Sequence, residues 1–413
     1  MTLTNASISL KASDVAADAC GVRPAGTAPT AAATAPASAA AQAPTTQPRP
    51  GHDKFDRPFE ETTVEQTPDG AFRRQRNAFT VRFGNQPGQA PVEAGRYHVL
   101  GALGCGWNRR QRIVIRLLGL WDAFTPEIVY GRDQDGWKLT KTPGGVAELF
   151  GYDRLNDFYR RTVGDRFTGR GTSPTVIDLS NGKVVTNNYH ILSNDLETAW
   201  APFHKQGAPD LYPQELRQEI DLLNQQLFDD VNNGTYKVNF ATTRGAAQAA
   251  YTIFKARLAD YDFRLASRRY LFGANYTDSD VRLFQTLESF ELGYRPGFIR
   301  ALGTEDIVHV WDYPNLWAYA RDLFQTPGFI DEPELFELGY TPDEDGNYTR
   351  DPFTRDEGTT PQSVKDERKA LYERWLEPAG REGLTGSQFY SGPGVGGSYE
   401  LWKFGEYSNY YRA

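Results

Sequence analysis

The sequence predicts an α/β domain followed by an all-α domain, on three observations. A strand-like run, Arg96 to Leu103, passes through Gly104-Cys105-Gly106 into a helical apolar pattern. A second strand and a hairpin follow between Thr172 and Val185. From Leu211 the pattern changes to long helical periodicities.

The elements follow in chain order. After Cys105, residues Ile113, Leu117 and Leu120 share a helix face, with Arg109, Arg110, Arg112 and Arg116 interspersed. Strand, cysteine-bearing turn and helix make the opening unit of an α/β domain. Thr172 to Asp178 reads as a strand entered through Pro174, and Asn181-Gly182 as the hairpin turn before Lys183-Val184-Val185. Pro213-Gln-Glu-Leu216 opens a helix that runs through Leu227 and Val231 and is stopped by Asn232-Asn233-Gly234. Further helices are expected from about Thr243 toward Leu265, and from a capping box at Thr277 to Asp280 as far as Phe290. Two more are expected from Asn315 to Phe324 and from Ser363 to Leu376. The expected organisation is a disordered Ala/Pro-rich tail (1–54), the α/β domain (55–198), the helical domain (199–332) and a C-terminal extension (333–413). The extension starts as an acidic, turn-rich linker, in which Asp343 to Asn347 reads as a solvated turn rather than a calcium loop.

Composition excludes several functions. A net charge of -8 with both signs interspersed argues against a nucleic-acid binder. Two cysteines, Cys20 and Cys105, cannot build a disulfide framework or an all-cysteine zinc site, and the 5 histidines show no H-E-x-x-H spacing. No metal is expected. The chain has no signal-like start and no apolar run of about 20 residues, so a cytoplasmic protein without a membrane partner is expected.

Cys105 carries the chemistry. A cysteine between glycines, at the start of a helix, meets unpaired N–H groups and the positive end of the helix dipole, which favour a nucleophilic thiolate. The neighbouring arginines would add positive potential. The plainer reading is a buried structural thiol. Asn108 stands where a C-x-x-C motif would place its second cysteine, so any mixed disulfide needs an external thiol to resolve it. Pro174 falls where thioredoxin-like domains place a cis-proline beside the active-site cysteine, with the backbone of the preceding residue, here Ser173, pairing with a bound thiol peptide. An ordinary trans proline on an edge strand is the alternative.

The stretch Val92 to His98, continuing through Cys105-Gly-Trp107-Asn-Arg-Arg110, resembles the Xi-class glutathione transferases, the glutathionyl-hydroquinone reductases. That family's motif reads Cys-Pro-Trp-Ala-His-Arg. Leu211 to Asp221, Asn232 to Thr243, and Thr277 to Phe284 followed by Trp311 to Leu316 are similar to the same family, so the resemblance covers about Val92 to Phe329 in order. It implies a thioredoxin-like N-terminal domain followed by an all-α glutathione-transferase C-terminal domain, and a homodimer. It further implies that Cys105 attacks the thioether sulfur of a thiol-quinol conjugate. Glutathione or another low-molecular-weight thiol would be the cosubstrate. Trp107 and Arg110 match positions around the thiol pocket, and Tyr236 and Tyr294 match tyrosines beside the aromatic acceptor.

The sequence departs from the family at three places. Gly106 replaces the motif's proline, and Asn108-Arg109 its Ala-His. The Asn-Glu-Ser segment that recognises the γ-glutamyl end of glutathione appears as Asn187-Asn188-Tyr189, so Asn188 and Tyr189 are the candidate residues of an altered thiol clamp. The alternative function is a non-catalytic glutathione-transferase-like binding or structural protein, with the aromatic tail as a partner surface.

Overall fold

The computed structural model describes residues 67–74, 77–133, 135–164, 167, 170–349 and 359–384. The Ala/Pro-rich tail, Cys20, the start of the expected α/β domain at residue 55 and the aromatic segment Ser387 to Ala413 lie outside the described residues.

Five strands form one sheet in the order β3-β2-β1-β4-β5. Strand β1 (Tyr97–Gly101) is buried along its whole length and leads into helix α1 (Gly106–Leu118). The chain returns as β2 (Phe124–Asp133), which pairs parallel to β1. Strand β3 (Gly136–Leu139) lies antiparallel to β2 at the sheet edge. After helices α2 (Val146–Phe150) and α3 (Leu155–Val163), β4 (Thr175–Asp178) and β5 (Lys183–Thr186) complete the sheet as an antiparallel hairpin. Gly182 turns that hairpin at φ +67, a conformation L side chains rarely adopt. In the antiparallel register, Leu100 stands opposite Thr175 and Tyr97 opposite Asp178. This register carries the loop after β1, with Cys105, to the residues that precede β4.

Helix α4 (Leu192–Thr198) leads to the helical half. Helix α5 (Arg217–Leu227) continues without a break through a π-helical turn, Phe228–Asn232, into α6 (Asn233–Asn239). The expected stop at Asn232-Asn233-Gly234 does not occur. Asn232 donates from Nδ2 to Arg282 O at 2.8 Å and to Thr286 Oγ1 at 2.7 Å, so tertiary partners satisfy a side chain that would otherwise favour a helix end. The 22-residue helix α7 (Arg244–Leu265) is capped by Thr243, whose hydroxyl accepts from Ala246 N. The capping box at Thr277 and Asp280 opens α8 (Asp278–Leu287). A second π-helical turn, Phe290–Tyr294, runs into α9 (Arg295–Leu302), and α10 spans Pro314–Phe324.

Pro333 does not begin a linker. It sits in the first turn of α11 (Glu332–Glu337), where its missing N–H costs nothing, behind the Asp331 cap. The Asp343 turn closes on itself, with Asp343 Oδ1 accepting from the N–H groups of Asp345 and Asn347. Helix α12 (Gln362–Trp375) brings Trp375 against Trp317 and Phe324, at ring separations of 4.6 and 4.7 Å.

Helix α1 lies between the sheet and the helical half, and all its residues except Arg116 are buried. Its arginines do not project a free positive field, as the sequence suggested. Arg109 pairs with Glu288, while Arg112 and Arg116 both reach Asp331 and Glu334. They join the two halves of the protein.

Candidate active site

Cys105 is the residue before the first turn of α1, in extended backbone conformation (φ -86, ψ 112). Its carbonyl accepts from Asn108 N and Arg109 N at 3.0 and 2.9 Å, which closes that turn. The thiol is buried and donates to Ser173 O at 3.5 Å. The Ser173–Pro174 peptide bond is cis, and Ser173 Oγ accepts from Ala102 N at 3.0 Å. The hydroxyl thus ties the end of β1 to the entry of β4 and sets the Ser173 carbonyl beside the sulfur. Asn108 is a brace at the same joint. Its Nδ2 donates to Ala102 O at 3.0 Å, and its side chain fills the space in which Gly101 has no Cβ.

An aromatic row continues from the cysteine. Trp107 stacks on Tyr189 at 4.7 Å and on Tyr236 at 5.8 Å, and Tyr236 meets Tyr294 at 6.0 Å. The Arg110 guanidinium lies 5.8 Å from the Trp107 ring and 5.9 Å from that of Tyr189. Cys105, Ser173, Pro174, Trp107, Arg110, Tyr189, Tyr236 and Tyr294 thus form one connected group, while the Asn188 side chain is engaged within its own turn. The Asn188 Oδ1 accepts from His190 N at 3.2 Å and from Asn77 Nδ2 at 3.3 Å, inside the turn that follows β5.

Three further residues join this centre without having been read from the sequence. Arg74, ahead of the sheet, lies 4.1 Å from the Tyr236 ring and 5.0 Å from that of Trp107, and its Nε donates to Asn233 Oδ1 at 2.6 Å. His190 is fully buried, and burial together with the charges of Arg110, Arg282 and Arg74 pushes its pKa well below the ordinary histidine value, so it is neutral. Gln285, on α8, is 1% exposed and occupies the space beside Gly106. Arg74 lies in a stretch with no periodic signal, and Gln285 sits 179 positions from Gly106, so neither could be found from local pattern. The buried polar atoms without a hydrogen-bond partner among the described residues include a donor, Trp107 Nε1, and an acceptor, Gln285 Oε1.

Among the described residues, no three His, Cys, Asp or Glu side chains are grouped to hold a metal ion. No helix among them is long and apolar enough to cross a membrane.

No family model matches the chain. It is 30% identical over 272 residues to the glutathionyl-hydroquinone reductase YqjG of Escherichia coli, covering 63% of this chain and 81% of that protein. The chain belongs to the Xi-class glutathione transferases. A solved glutathione transferase from Gordonia bronchialis is 36% identical, with a TM-score of 0.57 over 71% of this chain and 87% of that one. The glutathione-bound structure of YqjG is 28% identical, with a TM-score of 0.57 over 76% and 98% of the two chains. The fold of this Xi-class protein is accordingly a thioredoxin-like domain followed by an all-α glutathione-transferase domain. It is a glutathione transferase-like oxidoreductase.

Proposed function

We propose that this enzyme is a thiol-dependent reductase that cleaves thiol-quinol conjugates at Cys105. The observation that carries the reading is the placement of the Cys105 sulfur, before the first turn of α1 and 3.5 Å from Ser173 O. A thiolate there is favoured by the N–H groups and dipole of the helix. The kinship with YqjG supports the same chemistry, since that relative is named a glutathionyl-hydroquinone reductase.

In the proposed reaction, the Cys105 thiolate attacks the thioether sulfur of the conjugate. The sulfur–aryl bond breaks, its electron pair passes to the ring carbon, and a proton added there completes the free hydroquinone. The enzyme then holds a mixed disulfide. A second thiol, as its thiolate, attacks the substrate-derived sulfur, leaves as a disulfide and restores Cys105. The two thiols supply the two electrons that release the quinol.

Tyr236 and Tyr294 face the aromatic leaving group in this reading and hydrogen-bond its oxygens. Trp107, Arg110, Ser173, Pro174, Asn188 and Tyr189 hold the thiol. Trp107 Nε1 is a buried donor without a partner among the described residues, suited to an acceptor on the thiol peptide. Glutathione is the first candidate cosubstrate, because a relative binds it. The Asn188-Tyr189 pair favours a thiol with a smaller demand for γ-glutamyl recognition. A homodimer in the cytoplasm is the expected working form.

A second reading, a binding protein that has lost the reaction, draws on the burial of Cys105 and the stacking of Tyr189 on Trp107. One experiment separates them. The protein is incubated with the disulfides of glutathione, coenzyme A and cysteine, which exchange with a reactive thiolate and release one thiol, its intact mass is measured, and turnover of a glutathionyl-hydroquinone is followed. The reductase reading expects a mixed disulfide on Cys105 and complete loss of turnover in Cys105→Ala. Full activity in that variant overturns the Cys105 mechanism, whereas no adduct from any of the disulfides together with no turnover by the wild type favours the second reading.

A further inference from the structure

The site contains a polar group that the reaction above does not use. Gln285 lies on α8 of the helical half, opposite the first turn of α1. A Cβ added to Gly106 would overlap Gln285 Oε1 and stand 3.4 Å from Tyr294 Oη. The amide therefore fills the volume next to Cys105 in which the motif's proline ring would stand, on the side where Tyr294 faces the aromatic group. Gln285 Nε2 donates to Thr286 Oγ1 at 2.8 Å, while Oε1 is buried and accepts from no group among the described residues. A buried carbonyl oxygen left without a donor is costly, and in a native fold such a group calls for a specific explanation, of which a catalytic or ligand-binding role is one.

We propose that Gln285 is a specificity-determining residue that accepts a hydrogen bond from a hydroxyl of the bound quinol. It rests on the reductase reading for its location beside the reacting sulfur. The chemistry selects a ligand class. Oε1 can only accept, so it rewards an aromatic ring bearing a free O–H and leaves an ether or an oxidised quinone without a bond. Tyr294 can donate as well as accept, so the pair addresses both the proton and the oxygen lone pairs of a quinol. The enzyme would thereby distinguish the reduced aromatic product class from its quinone, a distinction that a purely apolar pocket makes poorly.

The test reads binding rather than turnover. Affinities of the wild-type protein for hydroquinone, 4-methoxyphenol and 1,4-dimethoxybenzene are measured by ligand-observed NMR titration. Hydroquinone is expected to bind about tenfold tighter than the dimethyl ether, the worth of about one hydrogen bond. In Gln285→Met, which keeps the volume but removes the acceptor, the two affinities converge to within about twofold. Gln285→Glu retains an acceptor oxygen and keeps the preference, which carries the test if the methionine variant does not fold by near-UV circular dichroism. Equal binding of all three ligands by the wild type overturns the proposal, as does an unchanged preference in Gln285→Met or a lost preference in folded Gln285→Glu. Mixed-disulfide formation on Cys105 is followed in parallel. Its failure removes the reductase mechanism, while a hydroxyl preference that depends on Gln285 stands on the titration alone.

Discussion

The Arg109 guanidinium meets the Glu288 carboxylate at 2.6 Å, with both side chains buried at the joint between the sheet domain's first helix and the helical half. Arg109 also donates to Leu103 O at 2.9 Å, just ahead of the cysteine. Removing one partner strands a buried charge, and such losses cost about 3–5 kcal/mol. Glu288→Ala is therefore expected to lower unfolding free energy by that order in urea titration. Replacing both residues, as Arg109→Met with Glu288→Leu, is expected to recover most of the loss.

The same carboxylate sets a pH dependence. Burial, opposed by Arg109, pushes the Glu288 pKa up to about 7. The unfolded chain releases this proton near the ordinary glutamate value, so between about pH 4.5 and 7 the folded state holds more protons than the unfolded one. The stabilisation from this group is complete below that window and is lost as pH rises through it. Urea midpoints measured across the window should fall for the wild type relative to Glu288→Gln, which does not titrate. Parallel curves for the two proteins would remove Glu288 as the source.

Gly106 and Gln285 form a second coupled pair across the two halves. In Gly106→Ala the new methyl overlaps Gln285 Oε1, and the amide cannot swing freely because it is buried and bonded to Thr286. A loss of about 1–3 kcal/mol is expected from the overpacking. Gln285→Ala in the same chain makes room, so the double variant should be more stable than the sum of the single losses predicts. Thermal or urea unfolding of the four proteins in the cycle measures the coupling.

The proposed reading assigns thiol preference to the turn after β5. Installing Asn188→Glu together with Tyr189→Ser restores the family's polar pair and unstacks Trp107. About a tenfold fall in the KM for glutathione relative to cysteine is expected, the gain of about one buried hydrogen bond. An unchanged ratio would place thiol selection elsewhere.

Much of this architecture was legible in the sequence because local signals and tertiary outcome agree. The strand into Cys105, the Asn181-Gly182 hairpin and the Thr277 capping box each carry their own short-range chemistry. The unread parts depend on partners far along the chain. Arg109 and Glu288 are 179 residues apart, and the run of arginines on α1 looks like a solvated cationic face until Asp331 and Glu334 are seen against it. Asn232-Asn233-Gly234 carries a helix-stop signal that two hydrogen bonds from α8 override. Arg74 and Gln285 reach the site from segments whose own pattern has no reason to mark them.

Two tyrosines of the proposed acceptor pocket follow or end π-helical turns, Tyr236 after Phe228–Asn232 and Tyr294 at the close of Phe290–Tyr294. The widened bonds are seen from Asn233 N to Phe228 O and from Arg295 N to Phe290 O. Each such turn holds one residue more than a regular turn, so everything downstream is advanced by about 100° around the helix axis. The angular phase of both rings is thus set by a one-residue surplus rather than by the choice of residue at 236 or 294. Deleting a single residue from either turn would restore an even spiral and rotate its tyrosine out of the aromatic row, Tyr236 off Trp107 or Tyr294 off Tyr236, with every side chain of the pocket still present in the chain.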